Sequence, residues 1–168
     1  MVFYKHINTF NNNKWIYIIV YFLYINVNYS QNSVYKEFFF NSGELSSKGY
    51  LINNVPDGQW VSYYSNSNIK SIGYWKNALL DSSWTFYDSN GRMTLLENYK
   101  ENKKNGFSYE YDTAGLLTRK TLYIAGEKDG REIVYFKGSK QIKIENSYKK
   151  NKKNGVSKEF DNNGNIVL

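Results

Sequence analysis

Glu110 and Asp112 are the pair of side chains in this sequence that come nearest to an acid–base site. Two residues apart on one strand, they would share a face, because side chains alternate along extended backbone. Two carboxylates on an open strand face read as a solvated pair. Nucleophilic sites of the Ser-His-Asp or Cys-His type need an imidazole or a thiol. The chain has no Cys, and its single His is His6, within the first thirty residues. The same shortage removes the usual zinc ligands. Asp57, Asp129 and Asp161 read as turn residues, where Asp bonds nearby backbone. Gly130 and its equivalents form no phosphate loop, since no helix follows to supply a dipole. The expectation is a protein without catalytic residues, cofactor or metal.

Lysines and aromatics carry the remaining chemistry. Lys100, Lys103 and Lys104 fall in one expected turn, and Lys149, Lys150, Lys152 and Lys153 in another. If equivalent turns project from one edge of a meander, these charges line up along it. Each could then contribute about 1 kcal/mol toward an anionic lipid or polysaccharide. Lysine-rich turns also keep a β-array soluble and its edges unpaired. Trp60, Trp84, Tyr74 and Phe86 are candidates for an aromatic stripe offered to a protein or sugar partner. The alternative is that the sheet stacks them against neighbouring units.

The elements that must position these residues repeat. Five segments align: Gly58-Gln-Trp-Val-Ser-Tyr63, Ser82-Ser-Trp-Thr-Phe-Tyr87, Gly106-Phe-Ser-Tyr-Glu-Tyr111, Gly130-Arg-Glu-Ile-Val-Tyr135 and Gly155-Val-Ser-Lys-Glu-Phe160. Their starts lie 24, 24, 24 and 25 residues apart. One more step back reaches Val34 and puts Phe39 in phase with Tyr63, Tyr87, Tyr111, Tyr135 and Phe160. A second set, Leu45, Ile69, Met93, Leu117, Ile142 and Ile166, shares another phase, as do Leu51, Trp75, Tyr99, Tyr123 and Tyr148. Turn signals separate the halves of each unit at Asn41-Ser-Gly43, Asn90-Gly91, Ala114-Gly115, Lys137-Gly138 and Asn163-Gly164. Between units stand Asp57-Gly58, Asn105-Gly106, Asp129-Gly130 and Asn154-Gly155, which suit two-residue hairpin turns with positive φ. No helical period follows residue 30. The expected fold is all-β: tandem β-hairpin repeats in an elongated antiparallel meander, packed on the face that carries the phased aromatics.

Composition fits. Aromatics make up 18% of the 168 residues, too many β-formers for a disordered chain. The first thirty residues differ: Lys5, His6 and Lys14 precede an apolar run from Trp15 to Val27, then Asn28-Tyr29-Ser30-Gln31. This pattern is that of a secretory leader cut near Ser30/Gln31. The run falls short of the roughly 20 residues that span a bilayer, which favours cleavage over an anchor. Removing 1–30 takes away Lys5 and Lys14, lowering the net charge from +7 to +5. Export to the periplasm, cell surface or medium argues against nucleic acid as partner, despite a pI near 9.3.

The unit Gly58-x-Trp60-x-x-Tyr63, a turn, Ile69 and then Tyr74-Trp75-Lys-Asn resembles the MORN repeat, most closely its bacterial variant form. The resemblance covers roughly residues 34–168, with units starting near 34, 58, 82, 106, 130 and 155. Ser82 departs from the leading Gly, and Ser108, Glu132 and Ser157 from the Trp. Bacterial proteins of this variant type include YwqK-type antitoxins, so the resemblance implies a toxin-neutralising role. The expected function is an exported, non-catalytic scaffold for protein–protein interaction, antitoxin-like in its most specific form. The alternative is an envelope- or surface-binding module using the lysine edge.

Overall fold

A computed structural model describes residues 32–168. The leader expected over residues 1–30, with its cleavage site, lies outside the described residues. The strands are β1 Ser33–Phe39, β2 Leu45–Ile52, β3 Val55–Tyr63, β4 Ile69–Lys76, β5 Leu79–Tyr87 and β6 Met93–Lys100. There follow β7 Lys103–Lys104, β8 Gly106–Tyr111, β9 Leu117–Ile124, β10 Glu127–Tyr135, β11 Ile142–Lys149, β12 Lys152–Lys153 and β13 Lys158–Glu159. All thirteen belong to one sheet and every pairing is antiparallel, as the tandem hairpin pattern predicts. The pairs join neighbours in sequence, except that β6 also pairs β8 and β11 also pairs β13, past the two-residue β7 and β12.

Within each unit the expected turns form. Asp88, Asp112 and Asp161 each open a loop in which one carboxylate oxygen accepts two backbone N–H bonds, from Asn90 and Arg92, Ala114 and Leu116, and Asn163 and Asn165. The following glycines, Gly91, Gly115 and Gly164, take positive φ.

Between units the turns are displaced from the expected dipeptides. The chain reverses at Asn53-Asn54, Asn77-Ala78, Glu101-Asn102, Ala125-Gly126 and Lys150-Asn151, all with positive φ at both residues. Asp57-Gly58, Asn105-Gly106 and Asp129-Gly130 come four residues later, at or beside irregularities in the strand pairing. A bulge of this kind also needs a positive φ, so turn and bulge share one chemistry. Asp57 is consequently not a turn residue: its carboxylate accepts the backbone N–H of Asn77 at 2.8 Å, and Asn105 does the same for Ala125 at 3.2 Å. Asp129 instead accepts from Lys149 Nζ at 3.1 Å.

Four of these five inter-unit turns, all but Asn53-Asn54, are tied to the unit before them. Ala78, Asn102, Gly126 and Asn151 donate backbone bonds to the carbonyls of Pro56, Leu80, Lys104 and Lys128 at 2.8–3.0 Å. Units therefore couple mainly to their neighbours, the condition for array-like stability.

The packed face differs from the expected one in the first strand of each unit. Tyr63, Tyr87, Tyr111, Tyr135 and Phe160 are only half-buried, and Phe39 is 58% exposed. Burial follows the neighbouring phase instead. Gly49, Ser71, Gly73, Trp84, Glu97, Ser108, Thr121, Glu132 and Asn146 are the buried residues, and register places them all on the face of Trp60. Trp75, Tyr99, Tyr123 and Tyr148 flank that line on the same face. Tyr63 points the other way, beneath Lys48, whose Nζ lies 5.7 Å from its ring centre. The periodic tyrosines mark the repeat, but the residues beside them form its core.

Candidate functional site

The packed face changes character along the array. In its first half, Trp rings lie over glycines of the preceding strand. A Cβ on Gly49 would come 2.2 Å from Trp60, and one on Gly73 would come 1.9 Å from Trp84. Neither glycine has positive φ, so each stands there for space alone. Trp84 meets Trp75 edge-on at 5.5 Å and stacks with Phe86 at 6.1 Å, while Trp60 touches Phe38 at 5.8 Å. The Trp84 indole N–H donates to the Tyr74 carbonyl at 3.0 Å.

In the second half the same line is polar. Glu97 accepts from Lys104 Nζ and the Tyr99 hydroxyl. Burial first, and then the bond to Glu97, raises the Tyr99 pKa. Glu132 accepts from Lys128 Nζ at 2.5 Å, Asn146 Nδ2 at 3.1 Å and the Tyr148 hydroxyl at 3.2 Å. Burial works to raise the Glu132 pKa, but the bonds from Lys128 and Asn146 outweigh it and hold the carboxyl below its usual 4.5. Lys104 and Lys128 also cap the rings of Tyr123 and Tyr148, at 5.1 and 4.9 Å. A buried carboxylate is tolerated only with such pairing. These two clusters, brought onto one line by strand register, were not singled out from the sequence. The signal was present as the phase Gly49, Gly73, Glu97, Thr121, Asn146, hidden by its changing residue types.

The aromatic candidates divide between faces. Trp60, Trp84 and Phe86 lie together on the packed face, with Trp84 only 5% exposed. Tyr74 lies on the opposite face and is 48% exposed. Phe38, not among the candidates, joins the first group and is 43% exposed.

The lysines also divide. Lys100 and Lys103 flank one inter-unit turn, and Lys149, Lys150 and Lys152 form another at the same edge of the sheet, all exposed. Lys104 is drawn inward to Glu97, whereas Lys153, opposite Tyr148 in register, is exposed like the others. Exposed Val55, Leu79 and Ile124 stand beside turns at this edge. Glu110 and Asp112 serve separate ends, Glu110 with Arg119 at 3.5 Å and Asp112 inside its loop. Among the described residues no group of three or more His, Cys, Asp or Glu is placed to hold a metal ion. No protein-family model matches the chain, and no curated protein matches it significantly.

Proposed function

We propose that this protein is a non-catalytic repeat scaffold that holds a protein partner on the aromatic half of its packed face. The observation that carries this reading is the grouping of Phe38, Trp60, Trp84 and Phe86 on a backbone fixed by ladder hydrogen bonds, with Phe38 open to solvent. Rigid aromatics give contact area at small entropic cost, and Trp and Tyr dominate binding hot spots. Neutralisation of a toxin is the most specific form of this role, and export restricts the target to the envelope or outside. The test is capture of a partner from host envelope extract, followed by titration of the purified partner. Phe38→Ser is expected to weaken binding at least tenfold, and Lys103→Ala with Lys152→Ala to leave it unchanged. Saturable binding unaffected by Phe38→Ser would refute the assignment.

A second reading rests on the lysine edge, where Lys100, Lys103, Lys149, Lys150, Lys152 and Lys153 project, with Ile124 at the turn between the two lysine clusters. Such an edge suits anionic lipid or polysaccharide. Sedimentation with anionic vesicles or cell-wall polysaccharide, lost as salt rises, would favour it.

A further inference from the structure

The face opposite the packed one carries an unbroken row of directly opposed residues across the sheet. In strand order it reads Glu37, Lys48, Val61, Ile72, Thr85, Leu96, Tyr109, Lys120, Ile133, Glu145, Lys158. The middle of the row is mainly apolar and only half-buried, while both ends are charged. No second layer of the described residues covers it.

This row is complementary to its own reverse. About Leu96, Glu37 falls opposite Lys158, Lys48 opposite Glu145, Val61 opposite Ile133 and Thr85 opposite Tyr109. The remaining pair sets Ile72 against Lys120, whose ammonium is already turned over Phe107 at 4.2 Å and Tyr109 at 5.5 Å. Its aliphatic stem is then what meets Ile72.

We propose that a second copy of this chain packs face to face on this surface, about a two-fold axis running along β6 through Leu96. Such an axis reverses strand order and keeps each residue at its height along the strand. The other two-fold available to stacked sheets, running across the strands, sets every residue opposite itself. Lys48, Lys120 and Glu145 would then each face a like charge, which is costly across an interface. Charge therefore selects the axis.

An independent feature agrees. The same reversal carries Tyr74 onto Leu122, two strands from Leu96 on either side. Tyr74 is 48% exposed, and Leu122 sits in a hollow lined also by Phe107, Lys120, Gly130, Arg131 and Ile133. A protruding phenol thus meets an apolar hollow with a cation at its rim. Seven strands about 4.8 Å apart give a footprint of roughly 600 Å² per copy, near the lower end for specific interfaces. The dimer is accordingly expected at micromolar concentration. It uses the face opposite to the one proposed for the partner, so either reading stands without the other.

The chain has no cysteine, so single cysteines report cleanly. With a short bismaleimide, Leu96→Cys is expected to cross-link to itself. Val61→Cys should cross-link with Ile133→Cys at least tenfold more than with itself. Sedimentation equilibrium should show a wild-type dimer that Tyr74→Lys, an exposed change, shifts to monomer by at least tenfold. A wild-type monomer up to about 100 µM, well above the affinity expected for such a footprint, overturns the proposal. So does a dimer in which Val61→Cys cross-links with itself as readily as with Ile133→Cys.

Discussion

The indole of Trp84 rests on the backbone of Gly73, so close that a methyl group on Gly73 would fall 1.9 Å from the ring. Trp60 makes the same contact with Gly49 one unit earlier, at 2.2 Å. Where the Trp gives way to Ser108, the glycine gives way to Glu97, so large and small residues exchange along one line. Gly73→Ala is expected to cost about 1–3 kcal/mol through displaced packing. Gly91→Ala, at a turn where a Cβ meets nothing within 4 Å, should cost only the penalty of its φ of +82°. Urea denaturation followed by Trp fluorescence separates the two, since only Gly73→Ala should shift the native emission.

The buried ion pair of Glu132 with Lys128 predicts a pH window. Burial works to lower the Lys128 pKa, yet its bond to Glu132 leaves it above its usual 10.5. Glu132 lies below its usual 4.5. A depressed carboxylate contributes stability above its unfolded value and loses it as pH falls through the folded one; a raised ammonium contributes below its unfolded value and loses it as pH rises. The contribution of this pair should therefore be flat between about 4.5 and 10.5 and fall outside that range. Glu132→Gln should flatten the acid limb. Lys128→Met leaves the carboxylate unpaired and should cost about 3 kcal/mol at pH 7.

Ser82 occupies the position where other units have glycine, and it holds φ at +58°. Left-handed backbone costs a non-glycine residue about 1–2 kcal/mol, partly offset by the entropy that glycine loses on folding. Ser82→Gly should therefore stabilise the array by about 0.5 kcal/mol. Gly106→Ser should destabilise it more strongly, because φ is +118° and the Asn98 Cβ lies 3.1 Å from where a new Cβ would stand. Melting temperatures of the two variants, moving in opposite directions, check this.

The exposed lysines should be dispensable for folding. Lys103→Ala with Lys152→Ala is expected to change stability by less than about 0.5 kcal/mol, because neither charge sits in a buried pair. Lys104→Ala, one residue from Lys103, should cost several times more by leaving Glu97 without its ammonium. Chemical denaturation of the two variants side by side distinguishes edge from core lysines.

The repeat, the strands and the turns inside each unit were legible in the sequence because Tyr63, Tyr87, Tyr111 and Tyr135 recur unchanged. The inter-unit turns were not, since Asp57-Gly58 has hairpin chemistry but forms a bulge. The actual turns place Glu101 and Lys150 at positive φ, where such residues are uncommon. The packed line was concealed for a different reason. Its positions vary in type from Trp60 to Ser108 to Glu132 while conserving only volume and pairing across the strand. Self-similarity detects identical residues, whereas packing needs only complementary ones. The two carboxylate clusters escaped notice on the same ground, because Glu97 and Glu132 occupy different phases of the repeat and are joined only by strand register.

The most direct test of this account compares Trp84→Ala with Tyr87→Ala, two aromatic truncations three residues apart on β5. If the line through Trp84 is the core, Trp84→Ala should cost about 3–5 kcal/mol in urea denaturation. Tyr87→Ala, half-buried and off that line, should cost less than half as much. Equal losses, or a larger loss for Tyr87→Ala, would mean that the phased tyrosines hold the array together and that the packed face has been assigned to the wrong side of the sheet.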